Sequence, residues 1–451
     1  MKGRHRRAGG DDGDVKLRAQ ARTAPMFPPE PSNIPHDPVV PVPLPPLRYI
    51  APLSFGALAT VLAALSMLGP FSIDAYLPAF PQIESNLHAS LLQVQQTITA
   101  YMLAFACMVL WHGALSDAFG RRNVILVALV VFALATFGCA AAHSVHYLWI
   151  FRILQGVSAG AGVVVGRAII RDLYADAPAA RLLSLVTMIF SIAPAVAPVL
   201  GGWIVTLFDW RAIFLSLFVY TVGLGIFCWR RLPETLPRER RQAFNPRFVA
   251  RNYRAIFGSF LFHMKAGVVA LNFGGLFLYI AAAPVFLPDQ LHLGPSQFAW
   301  LFIPSVSGIF LGALAANRIA GKMPFARQIA IGFCFMLAAV VANVGYHLVL
   351  PPALPWTVLP LFFYTFGSSL IGPGATLLSL DLFPHIRGTV ASCQSFVVTL
   401  TGALVAGIVA PALSHSVLAL ALGQAAFALG ALALWLSSRQ YRRMLARRPG
   451  Q

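Results

Sequence analysis

Residues Gly113 to Arg122 read GALSDAFGRR, a polar turn set between two uncharged runs, 90 to 112 and 123 to 142. Each run is long enough to cross a hydrocarbon core of about 30 Å as a helix, at about 1.5 Å per residue. A turn this short between two spans requires small residues where the backbone folds tightly, a carboxylate that faces an arginine or a helix N-terminus, and cations at the rim. The rim position alone explains Arg121 and Arg122, but not Gly113, Asp117 and Gly120 at their offsets.

Working outward, further runs lie near 50 to 76, 147 to 170, 182 to 207, 211 to 229, 258 to 285, 297 to 317, 328 to 349, 356 to 378, 388 to 412 and 416 to 437, twelve in all. With 58% apolar and 11% charged residues, the chain departs from soluble proteins, in which about a quarter of residues are charged. Lipid offers no partner to an open backbone, so the expected fold class is an all-α polytopic membrane protein of twelve transmembrane helices. An even number of spans and a basic stretch midway divide it into two six-helix bundles, 49 to 230 and 258 to 437, joined by a loop over 231 to 257. A weak echo supports the division: Gly312-Ala313-Leu314, followed by Gly321 and Lys322, repeats Gly113-Ala114-Leu115 with Ala316 where Asp117 would recur.

The formal charge of +18 does not indicate nucleic acid, because no soluble domain remains to carry a basic patch. Of 33 Lys and Arg, eight precede the first run, eight lie between Arg230 and Arg254, and five follow Ser438. Arg121, Arg122, Arg171, Arg181, Arg318, Lys322, Arg327 and Arg387 fall in loops on the same side, so the positive-inside rule places both termini and the central loop in the cytoplasm. Residues 1 to 48, basic and then Pro-rich, cannot bury a core and are expected to be a disordered tail, and 438 to 451 a basic one. No apolar core with a cleavage site precedes the first run, so the first helix is expected to be retained. Cys107, Cys139, Cys228, Cys334 and Cys393 lie in the runs without metal-like spacing and read as small packing residues, leaving no metal site or cofactor.

Two charges inside the runs carry the chemistry. Asp74, in FSIDAYLPAF at 71 to 80, ends more than 20 uncharged residues. A carboxylate at membrane depth meets a cation or water, or takes up a proton; Asp74 is therefore a proton-switch candidate, or else a cap where Pro78 and Pro81 end the span. Arg152 lies a few residues past the non-cytoplasmic end of its span and requires a carboxylate, a carbonyl or water, unless it snorkels back. Gly156, Gly160, Gly162 and Gly166 give the same run small faces for close packing. Lys265, about two turns from the cytoplasmic end of its run, reads as a snorkelling cation. Tyr76, Gln96, Tyr101, Gln155, Asn272 and Tyr279 form the candidate pocket lining, although the polar residues of run 90 to 112 equally suit bonds to neighbouring helices. In 191 to 203, SIAPAVAPVLGGW, Pro194 and Pro198 each remove a helix hydrogen bond while Gly201 and Gly202 admit a neighbour, so a bent, tightly packed span is expected.

Together these motifs give the chain its resemblance. GALSDAFGRR resembles the loop between helices 2 and 3 of the major facilitator superfamily, and R-x-x-Q-G from Arg152 resembles a helix-4 motif linked there to proton transfer. A-P-x-x-G-G in helix 5 is similar to the motif of proton-exchanging exporters. With S-x-D-x-Y-L-P-A-x-P at 72 to 81, GRAIIRDLY and RLPETL, the first half resembles the bicyclomycin- and chloramphenicol-resistance branch of drug/proton antiporters.

The resemblance implies a monomer of the major facilitator fold in the bacterial inner membrane. It would export small hydrophobic drugs in exchange for protons by alternating access, with Asp74 and Arg152 coupling the proton. Gly113, Asp117, Gly120, Arg121 and Arg122 would be the cytoplasmic gate. Some relatives carry a second acid deeper in helix 1; here the residues before Asp74 are uncharged, which favours neutral or mixed substrates over cations. An uptake symporter of the same fold would lack the Pro/Gly pattern of helix 5. A membrane enzyme would show convergent titratable groups at one face, which His112, His143, His146 and Asp381 do not form. A channel would show a ring of charges or a filter-like repeat, and neither appears.

Overall fold

A computed structural model of the chain describes residues 53–446. The tail over 1 to 48 and the last residues of the second tail lie outside them. Twelve helical spans long and apolar enough to cross a membrane follow in order: α1 Phe55–Leu87, α2 Leu91–Phe119, α3 Arg121–Ala140, α4 Val145–Leu173, α5 Asp176–Leu207, α6 Arg211–Arg231, α7 Phe260–Leu291, α8 Pro295–Ile319, α9 Phe325–Val349, α10 Leu359–Leu380, α11 Pro384–Leu413 and α12 Val417–Tyr441. The chain is thus an all-α polytopic protein. Several starts are fixed by serine caps: Ser54, Ser90, Ser144 and Ser259 each accept from the backbone N–H three residues on. At Ser90 the Gln93 side chain answers reciprocally.

Prolines set the irregularities. Pro78 has no N–H for the carbonyl of Asp74, so the first α-helix ends at Asp74 and a 3-10 turn over Leu77–Ala79 leads into Phe80–Leu87. α5 divides at Ser191 and Ile192 into Asp176–Phe190 and Ala193–Leu207, with Pro194 in the first turn of the second piece and Pro198 inside it. In α11 a π-helical turn spans Val405–Val409, and Pro411 withholds the α-helical donor from the carbonyl of Gly407. α7 runs on past Pro284 and Pro288 to Leu291, longer than its apolar run, and carries Asp289 exposed in its last turn.

Within each set of six the spans pack mainly on one another. α4 lies against α1, α2 and α3, and α1 also contacts α5 and α6; in the second set α7 lies against α10, α11 and α12, and α9 against α10 and α12. The two sets meet along α2 with α11, along α5 with α8, and where the 3-10 turn of α1 touches α7. Gly156 and Gly162 on α4 admit the carbonyls of Tyr101 and Leu65, and Gly201 and Gly202 admit those of Ala75 and Pro295; a Cβ at any of the four would collide with backbone.

Two expectations change. Cys139, Cys228 and Cys393 are buried, but Cys107 and Cys334 are exposed, so those two do not pack in the interior. Lys265 does not reach the surface: it is 2% exposed, with Nζ 5.7 Å from the ring centre of Trp435 on α12. The Trp435 ring of α12 lies over the ammonium group and helps keep it inside the bundle.

Candidate functional site

The break in α1 builds the first cluster. Because the α-helix stops at Asp74, the carbonyl of Ser72 is one of the end carbonyls that lack an intrahelical donor. Arg152 of α4, completely buried, supplies one: its Nη1 donates to Ser72 O at 2.8 Å and to Gln155 Oε1 at 2.9 Å. A cation at this position also suits the negative end of the helix. Gln155 is fixed in turn by Nε2 donating to Thr136 Oγ1 of α3 at 2.7 Å, and Thr136 donates to Phe132 O at 2.6 Å.

Two aromatic faces enclose the guanidinium. Its carbon lies 4.5 Å from the ring centre of Tyr101 and 5.0 Å from that of Tyr76, an arrangement that offsets part of the cost of burying a charge. Tyr76 OH shares a hydrogen bond of 3.0 Å with Thr97 Oγ1. Nε and Nη2 of Arg152, and the hydroxyl of Tyr101, have no partner among the described residues. Asp74, 5% exposed, joins no ion pair or hydrogen bond among them either, so Arg152 serves the carbonyl two residues before it, not its carboxylate. Arg152, Gln155, Tyr76 and Tyr101 are therefore brought together, with Asp74 at their edge.

The remaining pocket candidates lie elsewhere. Gln96 Nε2 donates across the halves to Gly407 O at 3.0 Å, taking the carbonyl that Pro411 leaves without its α-helical partner. Tyr279 belongs to a cluster in the second half: Asn343 Nδ2 donates to Tyr279 OH at 2.8 Å and to Gln424 Oε1 at 3.2 Å, and Gln424 Nε2 donates to Gly275 O at 3.4 Å. Beside it, Asn272 accepts at its backbone carbonyl from Tyr364 OH at 3.2 Å, while both atoms of its own side-chain amide are buried without a partner.

At the basic end the GALSDAFGRR turn forms a compact charged knot. Arg121 pairs with Asp117 at 2.5 Å and with Asp172 of α4 at 3.0 Å, and donates to Ser116 Oγ at 2.6 Å. Its backbone N–H donates to Glu234 Oε1 at 2.9 Å, Thr235 Oγ1 donates to Asp172 Oδ2 at 3.0 Å, and Arg241 pairs with Glu234 at 3.4 Å. Arg122 Nη2 donates to the carbonyl of Trp229 at 2.5 Å. Gly120 has φ +96° and faces the Glu234 carboxylate, where a side chain would be both strained and obstructed. Gly113 is less constrained, since a Cβ there would meet only Val164 at 3.8 Å.

Asp172, Glu234, Thr235 and Arg241 are the members that the sequence reading did not single out as partners. The knot ties the first half to the loop after α6, and among the described residues none of its bonds reaches the second half. At this end the central-loop helix Pro246–Phe257 packs against α11 and α7 and also reaches the first half, its Tyr253 hydroxyl donating to the carbonyl of Leu110. Burial, followed by the nearby Cys393 thiol, raises the Tyr253 phenol above its usual range. Among the described residues, no three His, Cys, Asp or Glu side chains converge as metal ligands.

Residues 60–407 match the profile of the Major Facilitator Superfamily. The chain is 30% identical over 355 residues to the uncharacterized MFS-type transporter YdgK of Bacillus subtilis, covering 78% of this chain and 88% of that protein. It is 29% identical over 355 residues to the bicyclomycin resistance protein homolog of Haemophilus influenzae, covering 77% and 87%. Among solved structures, the inward open xylose transporter XylE of Escherichia coli superposes with a TM-score of 0.65 at 15% identity, covering 84% of this chain and 96% of that one, which speaks to the fold alone.

Proposed function

Since the chain belongs to the Major Facilitator Superfamily and is a transporter, not an enzyme, we propose that it exports small hydrophobic drug-like molecules, of the phenicol or bicyclomycin type, across the bacterial inner membrane in exchange for protons. The basic end, with both termini and the central loop, faces the cytoplasm. The two bundles, 49 to 230 and 258 to 437, rock about a site between them, and the chain works as a monomer.

The observation that carries the reading is the break in α1, which leaves Asp74 without a hydrogen bond or ion pair beside a carbonyl that Arg152 holds. A carboxylate in that position is costly when charged and gains by taking a proton. Asp74 binds a proton from outside and releases it inside as the drug enters. Arg152 keeps the broken end of α1 in place and responds when the carboxylate changes charge. Pro194, Pro198 and Gly201 let α5 lie close enough to the Ala75 backbone to follow that change, while Gly202 seats α5 against the Pro295 backbone of α8. The knot around Arg121 stiffens the first half at its cytoplasmic end, so that it moves as a body.

The test is exchange in proteoliposomes. An inward proton gradient should drive the drug against its own gradient, and Asp74→Asn should abolish this while downhill drug exchange continues. Uphill transport by Asp74→Asn with unchanged pH dependence would remove Asp74 from the coupling. Accumulation of substrate on the side toward which the protons flow would instead favour proton-coupled uptake of a small metabolite on the same fold.

A further inference from the structure

Arg167 and Arg171 are one turn apart on α4, and both are exposed, although Val165, Gly166, Ala168, Ile169 and Ile170 around Arg167 are buried. They belong neither to the charged knot nor to the cluster around Arg152. Their direction is fixed by α11: a Cβ built on Gly388 would sit 3.5 Å from Nη1 of Arg171 and 3.8 Å from Nη2. Residues four apart share a helix face, so Arg167 looks toward the same space between the halves, about 6 Å further from the basic end at a rise of 1.5 Å per residue. On the α11 side, Ser392 and Ser395 follow Gly388 at the i+4 and i+7 positions of one face, and both are half-buried.

Among the described residues no acid, Glu239 included, forms an ion pair with either cation. Asp117 and Asp172 are engaged by Arg121, Glu234 by Arg121 and Arg241, and Asp381 by Arg387. Asp176, at the start of α5, forms no ion pair with either. A guanidinium left facing an internal gap is matched to planar oxyanions, which it grips with two parallel hydrogen bonds. Hydroxyls opposite add donors without adding charge.

We propose that Arg167 and Arg171, facing Ser392 and Ser395 across the gap between the halves, form the binding site for an acidic group on a small amphiphilic substrate entering from the basic end. This rests on the transport reading for its biological sense, and it adds to the uncharged substrates proposed there apolar bodies that bear a carboxylate or a similar oxyanion. It also agrees with α1 having no acid deeper than Asp74, between Phe55 and Ile73, to attract cations.

The experiment uses the full chain in phosphatidylcholine nanodiscs and two probes of one shape, 1-naphthylacetate and 1-naphthylacetamide, each corrected for binding to empty discs. The parent should bind the acid about tenfold more tightly than the amide, as expected for a charge-assisted pair. Arg167→Gln should remove that preference while leaving amide binding within about twofold, and Arg167→Lys should restore part of it. If Arg167→Gln does not fold, Ser392→Asp, which sets an anion against the pair, should repel the acid and spare the amide.

An unchanged acid-to-amide ratio in folded Arg167→Gln, or an equal loss of both probes, would overturn the proposal. So would collapse of the preference in discs containing phosphatidylglycerol, which would assign the cations to lipid headgroups. Because binding is read without a proton gradient, its failure leaves the Asp74 coupling standing, and failure of the coupling leaves this readout intact.

Discussion

The two halves bury polar clusters of opposite character. In the first, Arg152, Gln155, Tyr76 and Tyr101 surround the broken end of α1, with Asp74 beside them. In the second, Asn343, Tyr279, Gln424 and Tyr364 tie together spans α7, α9, α10 and α12 through neutral groups. A neutral network specifies packing and does not respond to protons over the ordinary pH range. A cluster holding a cation, an unpaired carboxylate and orphaned donors is poised to respond to a change in charge. Under the proposed exchange, this division would put proton coupling in the first half and leave the second to hold shape.

The sharpest way to break this comparison is Arg152→Ala. It leaves Ser72 O and Gln155 Oε1 without their buried donor and removes a cation from two rings. Proton-driven exchange should fall by at least about a hundredfold, with a stability loss of about 2 to 4 kcal/mol by chemical unfolding in detergent. Equal exchange by this variant and the parent would take Arg152 out of the mechanism.

Asn343→Leu is the matching operation in the neutral cluster. It strands Tyr279 OH and Gln424 Oε1, and should cost about 2 kcal/mol of stability while the pH dependence of exchange keeps its parental shape. A shifted pH profile would place coupling in both halves. The smallest effect is expected from Tyr279→Phe, which deletes one acceptor from Asn343 and should cost about 1 kcal/mol, read as a small fall in melting temperature with the exchange rate retained.

How much of this was legible in the sequence depended on range. The twelve spans follow from long uncharged runs, because lipid enforces helices locally. Asp74 and Arg152 stood out as charges inside such runs, and Pro194 and Pro198 announced a bend in α5. The partner of Arg152 could not be read: a carbonyl carries no sequence mark, and the one at Ser72 is open to a donor because the α-helix stops at Asp74, two residues later. Asp172 and Glu234 meet Arg121 across 51 and 113 positions, beyond any local pattern. Lys265 lies about two turns from the end of its run, close enough to snorkel by sequence, and only its burial beside Trp435 on α12 shows that it does not. Arg167 carried no signal beyond its charge, since which face of α4 looks into the gap is decided by neighbouring spans.

The π turn over Val405–Val409 gives the α2–α11 seam a property that uniform helices would not have. It stores one surplus residue in the winding, at the point where Gln96 grips the Gly407 carbonyl. Unwinding that surplus would swivel the chain beyond it by about 100°, the arc of one residue in an α-helix. The grip of a single glutamine therefore decides whether the last stretch of α11 keeps its heading, and the seam carries its own swivel joint without a flexible loop.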